Sequence, residues 1–211
     1  MTLHFFAGIV GWGAVGIGLW STWIQFQRIQ RQGHEGVSLA TWVLFLFMGL
    51  FWITYGVTRR SPEIIMGSLI VFPLQIAIVA RLEPFRHVRV LGRSFGYFAL
   101  LCVAPVLIWG WIGGLIGTGI AMTINRGPQI VELIRHADAS GVSVASWVWG
   151  ATGSAMWVFF YFSGRLWGAL AATAFAGLAN VTIAGLARWR HGQALAARAA
   201  RAARERDVAL I

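Results

Sequence analysis

A chain of 211 residues that is 58% hydrophobic, only 11% charged and has a mean hydropathy of +0.70 carries more apolar surface than a soluble domain of its size can bury. The net charge of +10 would suggest a nucleic-acid partner in a soluble protein, but the arginines lie in short clusters between apolar segments and build no basic face, which argues against nucleic acid. All 17 Lys and Arg positions are arginine, which excludes a lysine Schiff base, and the lone Cys102 excludes an intramolecular disulfide.

A membrane-spanning helix needs roughly 20 mostly apolar residues. Seven segments qualify in chain order: Leu3 to Gln25, Val37 to Val57, Ile64 to Ala80, Phe95 to Trp109, Ile112 to Ile134, Val142 to Phe162 and Leu166 to Ala187. The first has no basic flank or small-residue cleavage site and reads as a retained helix, not a signal peptide. The fourth and fifth form one nearly uncharged stretch, too long to span once, with Gly110, Gly113 and Gly114 as the place to turn. Beyond Ala187 the chain is rich in Ala and Arg, with Arg198, Arg201 and Arg204 three residues apart, so a helix is expected to leave the membrane there; its arginines suit a solvated face or anionic headgroups.

The chain repeats itself. Gly36 to Trp42, GVSLATW, returns as GVSVASW at Gly141 to Trp147, 105 residues later. The same offset sets Trp52 on Trp157, Ser68 on Thr173 and Gln75 on Asn180, and with one gap Ile24-Gln25 on Pro128-Gln129. An internal duplication in an apolar chain is a transporter pattern, with the substrate site where the halves meet. Three helices reverse direction, so a fourth must intervene before a second trio can run parallel to the first. The expected fold is all-α and integral to the membrane, with seven transmembrane helices. The expected division is 1–82 for the first three-helix repeat, 83–111 for inner loop and linker helix, 112–187 for the second repeat and 188–211 for a basic tail.

With the N-terminus outside, fourteen arginines fall on inner segments and three (Arg59, Arg60 and Arg165) on outer ones. This positive-inside bias predicts a multi-pass protein of the cell membrane, N-terminus out and C-terminus in. The bias toward Ala, Gly and Arg is that of a GC-rich bacterial genome.

These motifs resemble the PQ-loop superfamily and, within it, the SWEET and SemiSWEET sugar transporters. Members carry Pro-Gln on a helix, a polar inner loop, a GxS-type start to the next helix, and a Trp followed by Tyr-Gly; SWEETs join two such trios by a linker helix. Here Pro128-Gln129, GVSVASW and Trp157 supply one copy, and Gln25, GVSLATW, Trp52 and Tyr55-Gly56 the other. The resemblance implies alternating access, with Pro128 and Gln129 acting at the hinge of the inner gate and Gln25 as their counterpart. It also implies an outer gate that includes Tyr55 and Arg59. Departures are specific: Ser68 and Thr173 stand sixteen residues after the tryptophans, where SemiSWEETs place a sugar-lining Asn. Ser61 stands where the outer gate has an acid, and Ile24 where the first proline belongs. They point to a different substrate or gate.

A site for a neutral polar solute needs a flat apolar wall, for which Trp52 and Trp157 are suited, and hydroxyl partners, for which Ser68 and Thr173 are suited. Gln75 and Asn180 either pair across the halves or line the cavity, since an amide in a membrane helix must be satisfied. Asn125 joins the candidate site. Arg126 either reaches the inner headgroups or faces the cavity, where it would favour an anionic substrate. Pro128, and Pro73 in the third helix, remove a ladder donor and are expected to bend their helices. The acids map to loops or helix ends, leaving no proton carrier at mid-membrane, so a passive uniporter is expected. Neither a metal, a cofactor nor an enzymatic constellation is expected.

The leading function is a facilitative transporter of a small neutral solute, most naturally a sugar. Alternatives are an amino-acid, vitamin or nucleoside transporter on the same scaffold, or a membrane receptor. The expected partners are the solute and the lipid bilayer; a homo-oligomer is compatible with a chain carrying both trios but not required by it.

Overall fold

The computed structural model describes residues 2–82, 87–136 and 138–209, which are helical almost throughout. Glu83 and Arg86 lie outside the described residues, as do the side chains of His4, His87, Arg204, Arg206 and Asp207. The helices are α1 (Thr2–Gln32), α2 (Leu39–Arg59), α3 (Pro62–Leu69), α4 (Phe72–Arg81), α5 (His87–Phe98), α6 (Ala104–Ile124), α7 (Gly127–Arg135), α8 (Val144–Ser163) and α9 (Trp167–Ala209), with a π-helical turn at Ala99–Val103 between α5 and α6. Among the described residues, Phe5–Gln32, Leu39–Arg59, Pro62–Arg81, Val88–Arg135 and Trp167–Ala202 are long and apolar enough to cross a membrane. The 20-residue α8 has the length as well, diluted by Ser146, Gly150, Gly153 and Ser154. The outer surface of the bundle is apolar, with Leu107 80% and Ile112 75% exposed on α6, a burden that only lipid relieves. This is an all-α, multi-pass membrane protein.

Backbone chemistry divides the long stretches. Gly110 has φ 65° and ψ −158°, a conformation that L side chains do not share, and α6 folds back there. The returning leg lies so close that a Cβ on Gly113 or Gly117 would overlap the carbonyls of Pro105 and Leu101. The helix expected over Ile64 to Ala80 is broken at Ile70–Val71, with Pro73 in the first turn of α4. Pro128 likewise sits in the first turn of α7, after a break at Asn125–Arg126. Each proline lacks the N–H that would continue the ladder and crowds the preceding turn. The breaks are not equivalent: α1, with Ile24 in place of proline, runs unbroken, and so does α9.

The backbone pattern recurs at the repeat spacing. Ser38 caps α2 by accepting from Thr41 N–H, and Ser143 caps α8 by accepting from Ser146 N–H. At the far ends, Ser61 N–H donates to Gly56 O and Leu166 N–H to Tyr161 O, with Arg60 and Arg165 both left-handed at φ 53°. Helix α1 packs on α8 through small residues: Gly11 meets Phe160, Gly13 meets Met156 and Gly153 meets Ile17. Across the molecule Gly114 of α6 meets Phe51 of α2, the repeat partner of Met156.

The α1–α2 and α7–α8 loops meet at one end of the bundle, where Gly141 N–H donates to Glu35 O. The start of α1 and the α2–α3 and α8–α9 turns share the opposite end. Substituting Gly110→Ala is expected to lower the melting midpoint of the detergent-solubilised protein by the equivalent of about 1–3 kcal/mol. Gly92→Ala, whose Cβ would meet nothing, should be neutral or slightly stabilising.

Candidate functional site

At the end where the GVS loops meet, each copy reaches into the other. Gln25 of α1 donates from Nε2 to Gly141 O (2.8 Å) and accepts at Oε1 from Ser143 N–H (2.9 Å). Gln129 of α7 does the same to the first copy, donating to Gly36 O (2.6 Å) and accepting from Ser38 N–H (2.9 Å). Both amides are 1% exposed, so all four bonds are dry. Arg28 Nε adds a bond to Ser140 O (2.7 Å), and Ser146 Oγ one to Ser21 O (2.7 Å). Glycine is required at this junction: Gly36, at φ 76°, abuts the backbone of Asp138 and Ala139, and Gly141 that of Gly33 and His34. Outside the bundle, the Ser140 amide holds the Asp138 carboxyl below the usual carboxylate range.

One turn further into the bundle is a cavity of about 240 Å³. Trp52, Trp157, Ser68, Thr173, Asn125, Gln75 and Asn180 all line it. Its wall near the GVS loops is aromatic, with Trp42, Phe45 and Trp147; Phe45 and Trp147 sit 6.2 Å apart across the two copies. At the other extreme Tyr161 stacks between the two tryptophans, 5.9 Å from Trp52 and 5.5 Å from Trp157, with interplanar angles of 18° and 20°. Trp157 fits because Gly67 beneath it has no side chain.

The polar groups differ in what they have left to offer. Thr22 and Ser154 spend their hydroxyls on carbonyls of their own helices. Among the described residues, Ser68 and Thr173 make no such bond. Gln75 and Asn180 do not pair with one another. Gln75 Oε1 is buried without a partner, whereas Asn180 accepts from Arg126 Nε (2.6 Å) and donates to Ser154 Oγ (3.3 Å).

Of the two placements open to Arg126, the structure takes the cavity. Its Nη1 donates to Met122 O (2.7 Å), a carbonyl at the α6 break, and to Asn125 Oδ1 (3.0 Å), while the guanidinium lies 5.2 Å from the Phe45 ring centroid. Only 7% of the residue is exposed, and among the described residues no Asp or Glu lines the cavity.

The remaining candidates lie toward the ends. Tyr55 is buried against Phe51 and Trp111, outside the cavity. Arg59 lines a recess at the end opposite the GVS loops with Ser61 and Glu63, whose carboxylate accepts from Ser61 Oγ (2.9 Å). An acid is therefore present two residues beyond the position at which sequence comparison finds serine. Ile64 lines both recess and cavity, so the barrier at that end is one layer of side chains. Pro73 and Pro128 stand at the two helix breaks and do not line the cavity.

Sequence reasoning missed Tyr161, Trp42 and Trp147. The signal for the tryptophans was at hand, since each closes a repeated heptapeptide. That for Tyr161 is subtler: it takes the place of Gly56 in the other copy, a large ring where the repeat has no side chain.

The chain matches no protein-family profile and no solved structure. It is 39% identical over 44 residues to a protein described as "Sugar transporter SemiSWEET" from Vibrio sp. (strain N418). That alignment covers 21% of this chain and 45% of the relative, so the chain spans less than half the length of the curated relative it matches.

Replacing Gln25 or Gln129 by Leu strands a buried N–H and a buried C=O, at about 1–3 kcal/mol each. Each variant is expected to melt earlier and to label faster with a thiol reagent at a cysteine introduced by Ser21→Cys. The native Cys102, at 0% exposure, adds no background. Unchanged melting and labelling in both variants would show that the exchanged bonds do not hold this end shut.

Proposed function

We propose that this chain is a facilitative transporter of a small polar solute of the sugar class, a sugar transporter related to the SemiSWEET proteins. In this reading its two three-helix repeats, joined by a linker helix, make seven spans. The observation that carries it is a single cavity lined by corresponding residues of both copies and bounded at each end by contacts that must part for a solute to pass. The matched SemiSWEET relative supports the sugar class. A volume of about 240 Å³ lies below the roughly 300–1,000 Å³ of sites for drug-sized ligands, which favours a solute of monosaccharide size.

Alternating access then uses the two ends in turn. The GVS end, which gathers Arg28, Arg31, Arg81 and Arg135, is cytoplasmic in this reading, and the recess with Arg59 and Glu63 faces outside. The exchanged glutamine bonds and paired loops hold the cytoplasmic side closed, while the Tyr161 stack and Ile64 close the outer side. Rotation about the breaks before Pro128 and Pro73 would separate the loops without unfolding a helix. The absence of Asp and Glu from the cavity wall among the described residues favours a uniporter over proton coupling.

The test is uptake by proteoliposomes of the purified chain across a panel of labelled neutral and acidic monosaccharides, amino acids and nucleosides. Trp52→Ala or Trp157→Ala is expected to cut uptake at least about tenfold, a loss of about 1.4 kcal/mol of solute interaction. Trp20→Ala, on the lipid-facing surface at 51% exposure, should leave it unchanged. Uptake of no compound in the panel would remove the transport reading in favour of a receptor.

A further inference from the structure

Arg126 is the one charged side chain on the cavity wall among the described residues, and nothing in the wall balances it. Its internal partners, Asn180 Oδ1, Asn125 Oδ1 and Met122 O, are neutral dipoles that supply partial charge. Nη2 donates no hydrogen bond to any described residue. Two further groups are unspent: Trp42 Nε1, a donor on a residue 4% exposed, and Gln75 Oε1, an acceptor. All three side chains line the same cavity.

We propose, building on the transport reading above, that the solute is a small polyhydroxylated monocarboxylate, a sugar acid and not a neutral sugar. Its carboxylate meets the guanidinium of Arg126, and its carbon skeleton lies against the aromatic wall. The physical reason lies in what the solute displaces. Water in an unfilled cavity solvates the guanidinium; a neutral sugar strips that water and returns only dipoles, leaving a desolvated cation with no counter-charge. A carboxylate strips the same water and supplies the missing charge, through a charge-assisted hydrogen bond. The aromatic wall of Trp42, Phe45 and Trp147 accommodates the carbon skeleton in either case, so the arginine decides between the two classes. Asn180 is the position that sets this balance: a carboxylate there, 2.6 Å from Nε, would neutralise Arg126 from within.

D-Glucose and D-glucuronate, which differ by oxidation of one hydroxymethyl group, make the discriminating pair. In proteoliposomes of the full chain, glucuronate uptake is expected to exceed glucose uptake at least about tenfold. It should also rise under an inside-positive potential set with potassium and valinomycin, because an anion carried alone moves charge. The near-isosteric Asn180→Asp is expected to abolish the preference while retaining glucose uptake, and Arg126→Gln to lose glucuronate uptake. Glucose carried as fast as glucuronate or faster, with no response to potential, would overturn the sugar-acid assignment and leave the transport reading intact. An unaltered preference in folded Asn180→Asp would overturn the role of Arg126. If neither solute is carried and neither raises the melting midpoint of the purified protein, both the assignment and the transport reading for this solute class fall together.

Discussion

Two glutamines hold the halves of this molecule in register. Each side-chain amide bridges the carbonyl of a glycine and the N–H of the serine two residues on, so that it completes the loop of the opposite copy as a peptide group would. Leucine in both places would leave four buried backbone groups unpaired across the two loops, and such groups cost more than neutral hydrogen bonds return. Much else follows from this exchange. The loops must approach closely, so Gly36 and Gly141 tolerate no side chain. The serines are fixed with their hydroxyls free to cap α2 and α8, which in turn aims the aromatic face of each helix at the space between the copies.

That space is symmetric in its frame and asymmetric in its chemistry. Trp52 and Trp157 face it from matching helices, as do Ser68 and Thr173, yet the charge comes from one copy alone. Arg126 is where it is because the break before Pro128 frees Met122 O to bind its guanidinium and turns the side chain toward Asn180. The first copy has isoleucine in place of that proline, an unbroken helix, and no equivalent arginine in the cavity.

The repeat spacing made a good part of this legible. It set Trp52 opposite Trp157 and Gln25 opposite Gln129, and the tryptophans that close GVSLATW and GVSVASW reach the cavity wall as well. What it did not reveal arises from long-range packing. The exchange of the glutamines between copies is invisible in a linear repeat, because pairing within a copy and pairing between copies give the same spacing. The placement of Arg126 was undecidable for a similar reason: a side chain long enough to reach either headgroups or cavity is directed by its acceptors, and Asn180 lies 54 residues away. Tyr55 was matched by motif, and its packing on Trp111 is long-range; Ser61 stands where the motif has an acid, and Glu63, two residues on, brings a carboxylate to the recess.

The substitution of Tyr161 for Gly56 carries a consequence for how the two copies have come to depend on each other. The single ring fills the slot between Trp52 and Trp157. The corresponding position of the first copy offers no ring and admits none, because a Cβ at Gly56 would collide with Ile65. The two halves are therefore not interchangeable: one carries the ring stacked between the tryptophans and the guanidinium of the cavity wall, the other Arg59 and Glu63 of the recess.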